Sequence, residues 1–129
     1  MATFQRIEDI EAWQKARGLT NDVYRLTLAG EFARDFPLRD QIRRACISVM
    51  SNIAERFERN GRGEFLQFLS VAKGSVGEVK AQLYVAVDQG YVDKETFEGL
   101  IAVCNQVGRM IGGMMEYLRQ SKINGAKYR

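Results

Sequence analysis

Residues 64–89 read EFLQFLSVAKGSVGEVKAQLYVAVDQ, and within them Phe65, Leu69, Ala72, Val76, Val79, Leu83 and Ala86 recur at alternating spacings of four and three. Apolar residues at that period fall on one face of a helix with 3.6 residues per turn, and strict alternation makes a heptad seam. The stretch predicts one long helix with a continuous buried stripe. Gly74, Gly77 and Ala81 lie on another face of it. A glycine inside a helix costs about 1 kcal/mol relative to alanine, and close approach of a second helix is the expected reason to tolerate that.

The same period continues on both sides. Leu38, Ile42, Ala45, Val49 and Ile53 mark a helix from Leu38 to Arg59. Beside that stripe runs a second apolar line of Cys46, Ile47, Met50, Ala54 and Phe57. One stripe faces a core; a second predicts a neighbouring subunit, with Ile47, Met50, Ala54 and Phe57 as candidate interface residues. Upstream, Trp13, Ala16, Thr20, Val23 and Thr27, widened by Leu19 and Leu26, predict a helix from Asp9 to Leu28. Glu8, Asp9 and Glu11 sit at its N-terminus, where the helix dipole favours negative charge. Downstream, Phe97, Leu100, Ile101, Cys104, Val107, Gly108, Ile111, Met115 and Leu118 predict a helix from Lys94 to Ser121, with Gly108 and Gly112 one turn apart for a close crossing.

Breaks fall between these segments. Gly30 is placed to end the first helix as its C′ residue, and a loop through Phe36-Pro37 follows. Asn60-Gly-Arg-Gly63 and Gly90-Tyr-Val-Asp93 are the other turns, Asp93 being a good N-cap. Pro37 is the single proline, which suits long unbroken helices. Four long helices with short connections predict an all-α fold, an antiparallel up-down-up-down four-helix bundle over residues 1–121. Residues 122–129 are expected to form a basic, frayed tail.

Composition narrows the function. The chain has 129 residues, enough for one domain with its own core. It contains no histidine, which removes the commonest general base and metal ligand. A di-iron bundle site needs Glu-x-x-His pairs, so that class is excluded. Gly61-Arg-Gly63 has no preceding strand and Gly74-Ser-Val-Gly77 lies inside a helical pattern, so neither is a phosphate loop. No nucleophile motif and no cofactor motif is present. Cys46 and Cys104 sit among apolar neighbours and are expected to be buried, reduced thiols. No stretch is long and apolar enough to span a membrane, the N-terminus has no apolar leader core, and a cytoplasmic protein is expected.

Net charge is +3 and the pI about 9.0. Arg39, Arg43 and Arg44 crowd the start of the second long helix; Arg56, Arg59 and Arg62 crowd its end and the following turn. Two arginine groups on one helix are spaced to grip a phosphate backbone. The competing reading is ion pairing, since Asp40 and Arg44 have helical i, i+4 spacing and Asp35 lies near Arg39. Ser48, Ser51, Asn52 and Glu55 form a polar line in which Asn52 is expected to bond a neighbouring helix and fix register.

The motifs Ala12-Trp-Gln-Lys-Ala16, Tyr24-Arg-Leu-Thr27, Gln41-Ile-Arg-Arg-Ala45, Ser51-Asn-Ile-Ala-Glu55, Glu64-Phe-Leu-Gln-Phe-Leu-Ser70 and Gly74-Ser75 occur in the order found in one bacterial family. From Phe4 to Leu118 the chain resembles the four-helix bundle proteins related to those encoded in intervening sequences of 23S ribosomal RNA genes. It departs in Arg56, where the family usually has glycine, and in Val49-Met50, where members tend to have Ile-Pro, so an unkinked helix is expected. The resemblance implies a ring, a homopentamer, and no enzymatic activity. The family is similar in fold to the accessory variability determinant of diversity-generating retroelements, which implies RNA or DNA as a partner, beside a nucleic-acid enzyme such as a reverse transcriptase. The alternative is a purely structural or protein-interaction module.

Overall fold

The computed structural model describes residues 10–58 and 62–127, and the side chains of 10–55 and 65–120. Helices are α1 (Glu11–Leu26), α2 (Gly30–Arg34), α3 (Phe36–Glu58), α4 (Arg62–Asp88) and α5 (Lys94–Lys127), with no strand among the described residues. Helix α1 packs on α3 and α5, α3 on α4, and α4 on α5, so the four long helices enclose one core. The short α2 rests on α3.

The predicted stripes form that core. Leu38, Ile42, Ala45, Val49 and Ile53 of α3 are all buried, as are Leu69, Ala72, Val76, Val79, Leu83 and Ala86 of α4. Leu100, Cys104, Val107, Ile111, Met115 and Leu118 close it from α5. On α1 the buried face is Ala12, Ala16, Leu19, Thr20 and Val23, with Trp13 only partly buried at its rim. Thr20 and Thr27 are polar yet buried because their hydroxyls donate to the carbonyls of Ala16 and Val23 one turn back, each at 2.8 Å. Cys46, expected on the second stripe of α3, is fully buried and belongs to the core.

The helix ends depart from expectation more than the faces. Helix α1 stops at Leu26, where the Thr27 N–H bonds the Val23 carbonyl at 3.0 Å. Gly30 has a positive φ of 71°, but it opens α2 rather than closing α1. The expected loop thus contains a helical turn. Pro37 lies in the first turn of α3, where its missing N–H leaves no helical bond unmade. Asp35 caps that helix: its Oδ1 accepts the Leu38 N–H at 3.2 Å. Its Oδ2 accepts the Tyr91 hydroxyl at 3.0 Å, which pushes the Tyr91 pKa up, and the Tyr91 ring stacks on Phe32. Asp35 therefore ties the α2–α3 junction to the α4–α5 turn.

In that turn the Gly90 N–H bonds Val87 O at 3.1 Å and the Tyr91 N–H bonds Ala86 O at 2.9 Å. This paired closure requires a left-handed residue, supplied by Gly90 at φ 78°. Asp93 then caps α5 through the Thr96 N–H at 2.7 Å, a bond that holds its carboxyl pKa below the usual value. Helix α3 is unbroken past Arg56, and α5 continues to Lys127, beyond the Ser121 end that the period predicts.

Both cysteines are free and buried. Burial pushes the Cys46 thiol up to about 12, helped by the neighbouring Cys104, and pushes Cys104 up to about 11. Thiol reagent should label them slowly in the native protein and quickly after denaturation. Because the folded thiols hold their protons above the ordinary value of 9.0, stability is full below that pH and declines as pH rises from there toward about 11–12. Cys46→Ala should flatten that alkaline decline in urea titrations. Leu83, with 0% exposure, should cost about 2–5 kcal/mol when cut to alanine, lowering the denaturation midpoint without changing the slope.

Candidate nucleic-acid interface

The α3 arginines do not act as one set. Arg43 turns inward: its Nε donates to Thr27 Oγ1 at 2.8 Å and its Nη2 to the Thr27 carbonyl at 3.1 Å. Its guanidinium also lies 4.5 Å from the Tyr24 ring centroid. A cation there satisfies the carbonyl end of α1 and complements its dipole. Arg39 donates to Asp40 at 3.0 Å and to the Ala33 carbonyl at 3.1 Å, and lies over Phe36. This corrects the expected pairing: Asp40 holds Arg39 rather than Arg44, and Asp35 is engaged as cap and tyrosine acceptor. Arg44 is left exposed, with no ion pair or hydrogen bond to a described residue. Arg59 lies outside the described residues, and so do the side chains of Arg56 and Arg62.

Asn52 does not bridge helices. Its amide donates to Ser48 O at 2.8 Å within α3. The bond across to α4 is made instead by Ser48 and Ser75, whose hydroxyls meet at 2.8 Å. Both line a groove of about 330 Å³ between α3 and α4, with Gln41, Arg44, Glu78 and Gln82. The Gln82 Oε1 is buried with no hydrogen-bond partner. Of the predicted interface stripe, Ile47 is 45% exposed, Met50 and Ala54 are half-buried, and the Phe57 side chain lies outside the described residues.

A second cationic locus escaped the sequence reading. A groove of about 410 Å³ between α4 and α5 is lined by Lys73, Lys80, Asn105 and Arg109 around Gly77, Gly108 and Gly112. The seven-residue step from Lys73 to Lys80 was a possible signal, since it puts both on one face of α4. No group of His, Cys, Asp or Glu among the described residues is arranged to hold a metal, and no described helix is long and apolar enough to cross a membrane.

Arg43→Ala should lower stability by about 1–3 kcal/mol, since it leaves the end of α1 unsatisfied. Arg44→Ala should change it by no more than about 0.5 kcal/mol. Chemical denaturation of the two variants checks the contrast.

The family model of the 23S rRNA-intervening sequence protein matches residues 8–113. A crystal structure of a protein with unknown function from the S23 ribosomal protein family, from Bacteroides thetaiotaomicron, has the same fold with a TM-score of 0.76. The two are 18% identical, over 86% of this chain and 99% of that one. No curated protein matches the chain. With the family pattern spanning all four long helices, the chain belongs to the 23S rRNA-intervening sequence protein family.

Proposed function

We propose that the chain is a non-enzymatic, homo-oligomeric four-helix bundle of the cytoplasm that binds nucleic acid, RNA or DNA, through a basic surface. The observation that carries this is Arg44, exposed on α3: Asp40, the acid one turn away, is already held by Arg39, and Glu78 across the α3–α4 groove makes no ion pair with it. A guanidinium without a partner is suited to a phosphate, which it grips as a bidentate fork. Arg56, Arg59 and Arg62 continue the run of arginines further along the sequence.

This reading takes the bundle as antiparallel, up-down-up-down, and as one unit of a ring. Lys73 sits by Gly112 and Val76 by Gly108, so α4 and α5 run in opposite directions. Ile47, exposed beside half-buried Met50 and Ala54, is then free to meet a second copy. Five-fold closure is the arrangement that the family resemblance implies. An oligomer multiplies the +3 charge of each chain into a stronger local field, and an accessory role beside a nucleic-acid enzyme such as a reverse transcriptase suits such a particle.

Binding should be tolerant of sequence and should weaken with salt, log affinity steepening by about 0.9 per neutralised duplex phosphate. Replacing Arg44, Arg59 and Arg62 by alanine should weaken binding to all sequences alike and flatten that slope in gel-shift titrations. Binding indifferent to salt would favour a purely structural module. Ile47→Glu with Met50→Glu should dissociate the oligomer in light scattering while circular dichroism stays helical; a monomeric wild type would reject the ring.

A further inference from the structure

Helices α4 and α5 carry glycines that packing within the chain does not require. A Cβ built at Gly77 meets nothing within 4 Å. At Gly108 it meets Val76 Cγ1 at 3.9 Å, and at Gly112 the Lys73 Nζ at 3.7 Å, both ordinary contacts. Alanine would fit at each position and is the better helix former. The close crossing expected of these glycines is therefore absent inside the chain. What they do is floor the α4–α5 groove with bare backbone.

The walls of that groove are cationic. Lys73, Lys80 and Arg109 line it, Asn105 adds an amide, and no acidic side chain borders it. None of the three cations makes an ion pair or hydrogen bond with a described residue. Elsewhere Arg25, Lys94 and Arg119 each hold an acid on their own helix, Asp22, Glu98 and Glu116. Lys80 is close enough to Cys104, at the base of the groove, for its charge to act on the thiol. Like charges gathered around one cleft repel, and an anion between them removes the repulsion. Two ammonium groups and a guanidinium match the oxygens of a phosphate better than a lone carboxylate, and an open glycine floor lets those oxygens approach the backbone.

We propose that the α4–α5 groove is a phosphate-binding site, with Lys73, Lys80 and Arg109 as its cationic walls and Gly77, Gly108 and Gly112 as its floor. The phosphate comes either from a nucleic-acid backbone, in which case the site rests on the nucleic-acid reading above, or from a free polyphosphate. The groove has room for either, and its recognition chemistry is the same.

Two probes separate the sources: inorganic tripolyphosphate by calorimetry, and a fluorescent single-stranded oligonucleotide by anisotropy across a salt series. The full chain is compared with Lys73→Gln/Arg109→Gln, with Gly112→Glu, and with Arg25→Gln/Arg119→Gln, which removes the same charge from paired arginines. Lys73 and Arg109 are exposed, so the groove variant should keep its helicity. Both groove variants should lose at least about tenfold affinity for tripolyphosphate, and for the oligonucleotide if its backbone occupies the groove. In the latter case the salt slope of Lys73→Gln/Arg109→Gln flattens by about 1.4, at about 0.7 per lost single-strand contact. The paired-arginine variant should bind like wild type. Loss confined to tripolyphosphate assigns the groove to a free polyphosphate. Oligonucleotide binding that the groove variants leave intact, with no tripolyphosphate binding, overturns the site while the nucleic-acid reading stands. Binding of neither probe by the wild type overturns both. Dissociation of the oligomer by the groove variants would make this a subunit contact and overturn the site as well.

Discussion

The structure depends on keeping water away from the seam of α4. Leu69, Ala72, Val79, Leu83 and Ala86 retain no exposure, with α3 on one side and α5 on the other. Each square ångström of apolar surface removed contributes about 25 cal/mol, and a seam this long gathers that contribution along the whole element. It also sets the rule for polar groups. Thr20, Thr27 and Ser75 are admitted to the interior because each hydroxyl has a bond, to a carbonyl one turn back or to Ser48 across the α3–α4 contact. With the inner faces committed in this way, chemistry is left to the helix ends and the outer grooves.

The helix ends consume the charges nearest to them. A helix leaves unbonded N–H groups at its start and carbonyls at its finish, and a side chain that supplies the missing partner is held there. Asp35 and Asp93 are taken by the first turns of α3 and α5. Arg43 is taken by the last residues of α1. Arg39 reaches the Ala33 carbonyl at the end of α2. Cations away from the ends meet no such demand, and Arg44, Lys73, Lys80 and Arg109 remain available. Reach to a helix end in the fold, rather than place along the chain, separates structural cations from candidate ligands: Arg43 and Arg44 are neighbours on α3, yet only Arg43 meets the end of α1.

That distinction explains what was legible in the sequence. Periodicity is a local property, so the core faces of α3, α4 and α5 were readable almost residue by residue. Arg43 and Thr27 are sixteen positions apart, and only the tertiary fold brings them together. Asp40 had Arg44 one turn away and Arg39 next to it, and spacing does not choose between them; in the fold Arg39, its guanidinium over the Phe36 ring, is the one that pairs. Cys46 falls on the edge between two stripes at 100° per residue, and the width of the buried face decided its side. The glycines were seen, but spacing alone does not tell a glycine that admits a helix from one that opens a groove. The α4–α5 groove joins Lys73 to Arg109 across a turn, and no window of sequence contains it.

A net charge of +3 per chain is modest. The distribution matters more than the sum. Asp22, Asp40, Glu98 and Glu116 are bonded to cations on their own helices, and Asp35 and Asp93 serve as caps, so several acids are unavailable to screen the rest. Lys73, Lys80 and Arg109 meanwhile share one concave surface, where low-dielectric walls concentrate the field. Equal charge spread evenly would be answered by mobile counterions at every point. Gathered over a glycine floor, it favours one multivalent anion over several monovalent ones, because a single phosphate meets several cations without the entropy of holding separate ions. The phosphate selectivity proposed for the groove thus rests on the arrangement of a few side chains on two neighbouring helices, in a protein whose overall charge is nearly balanced.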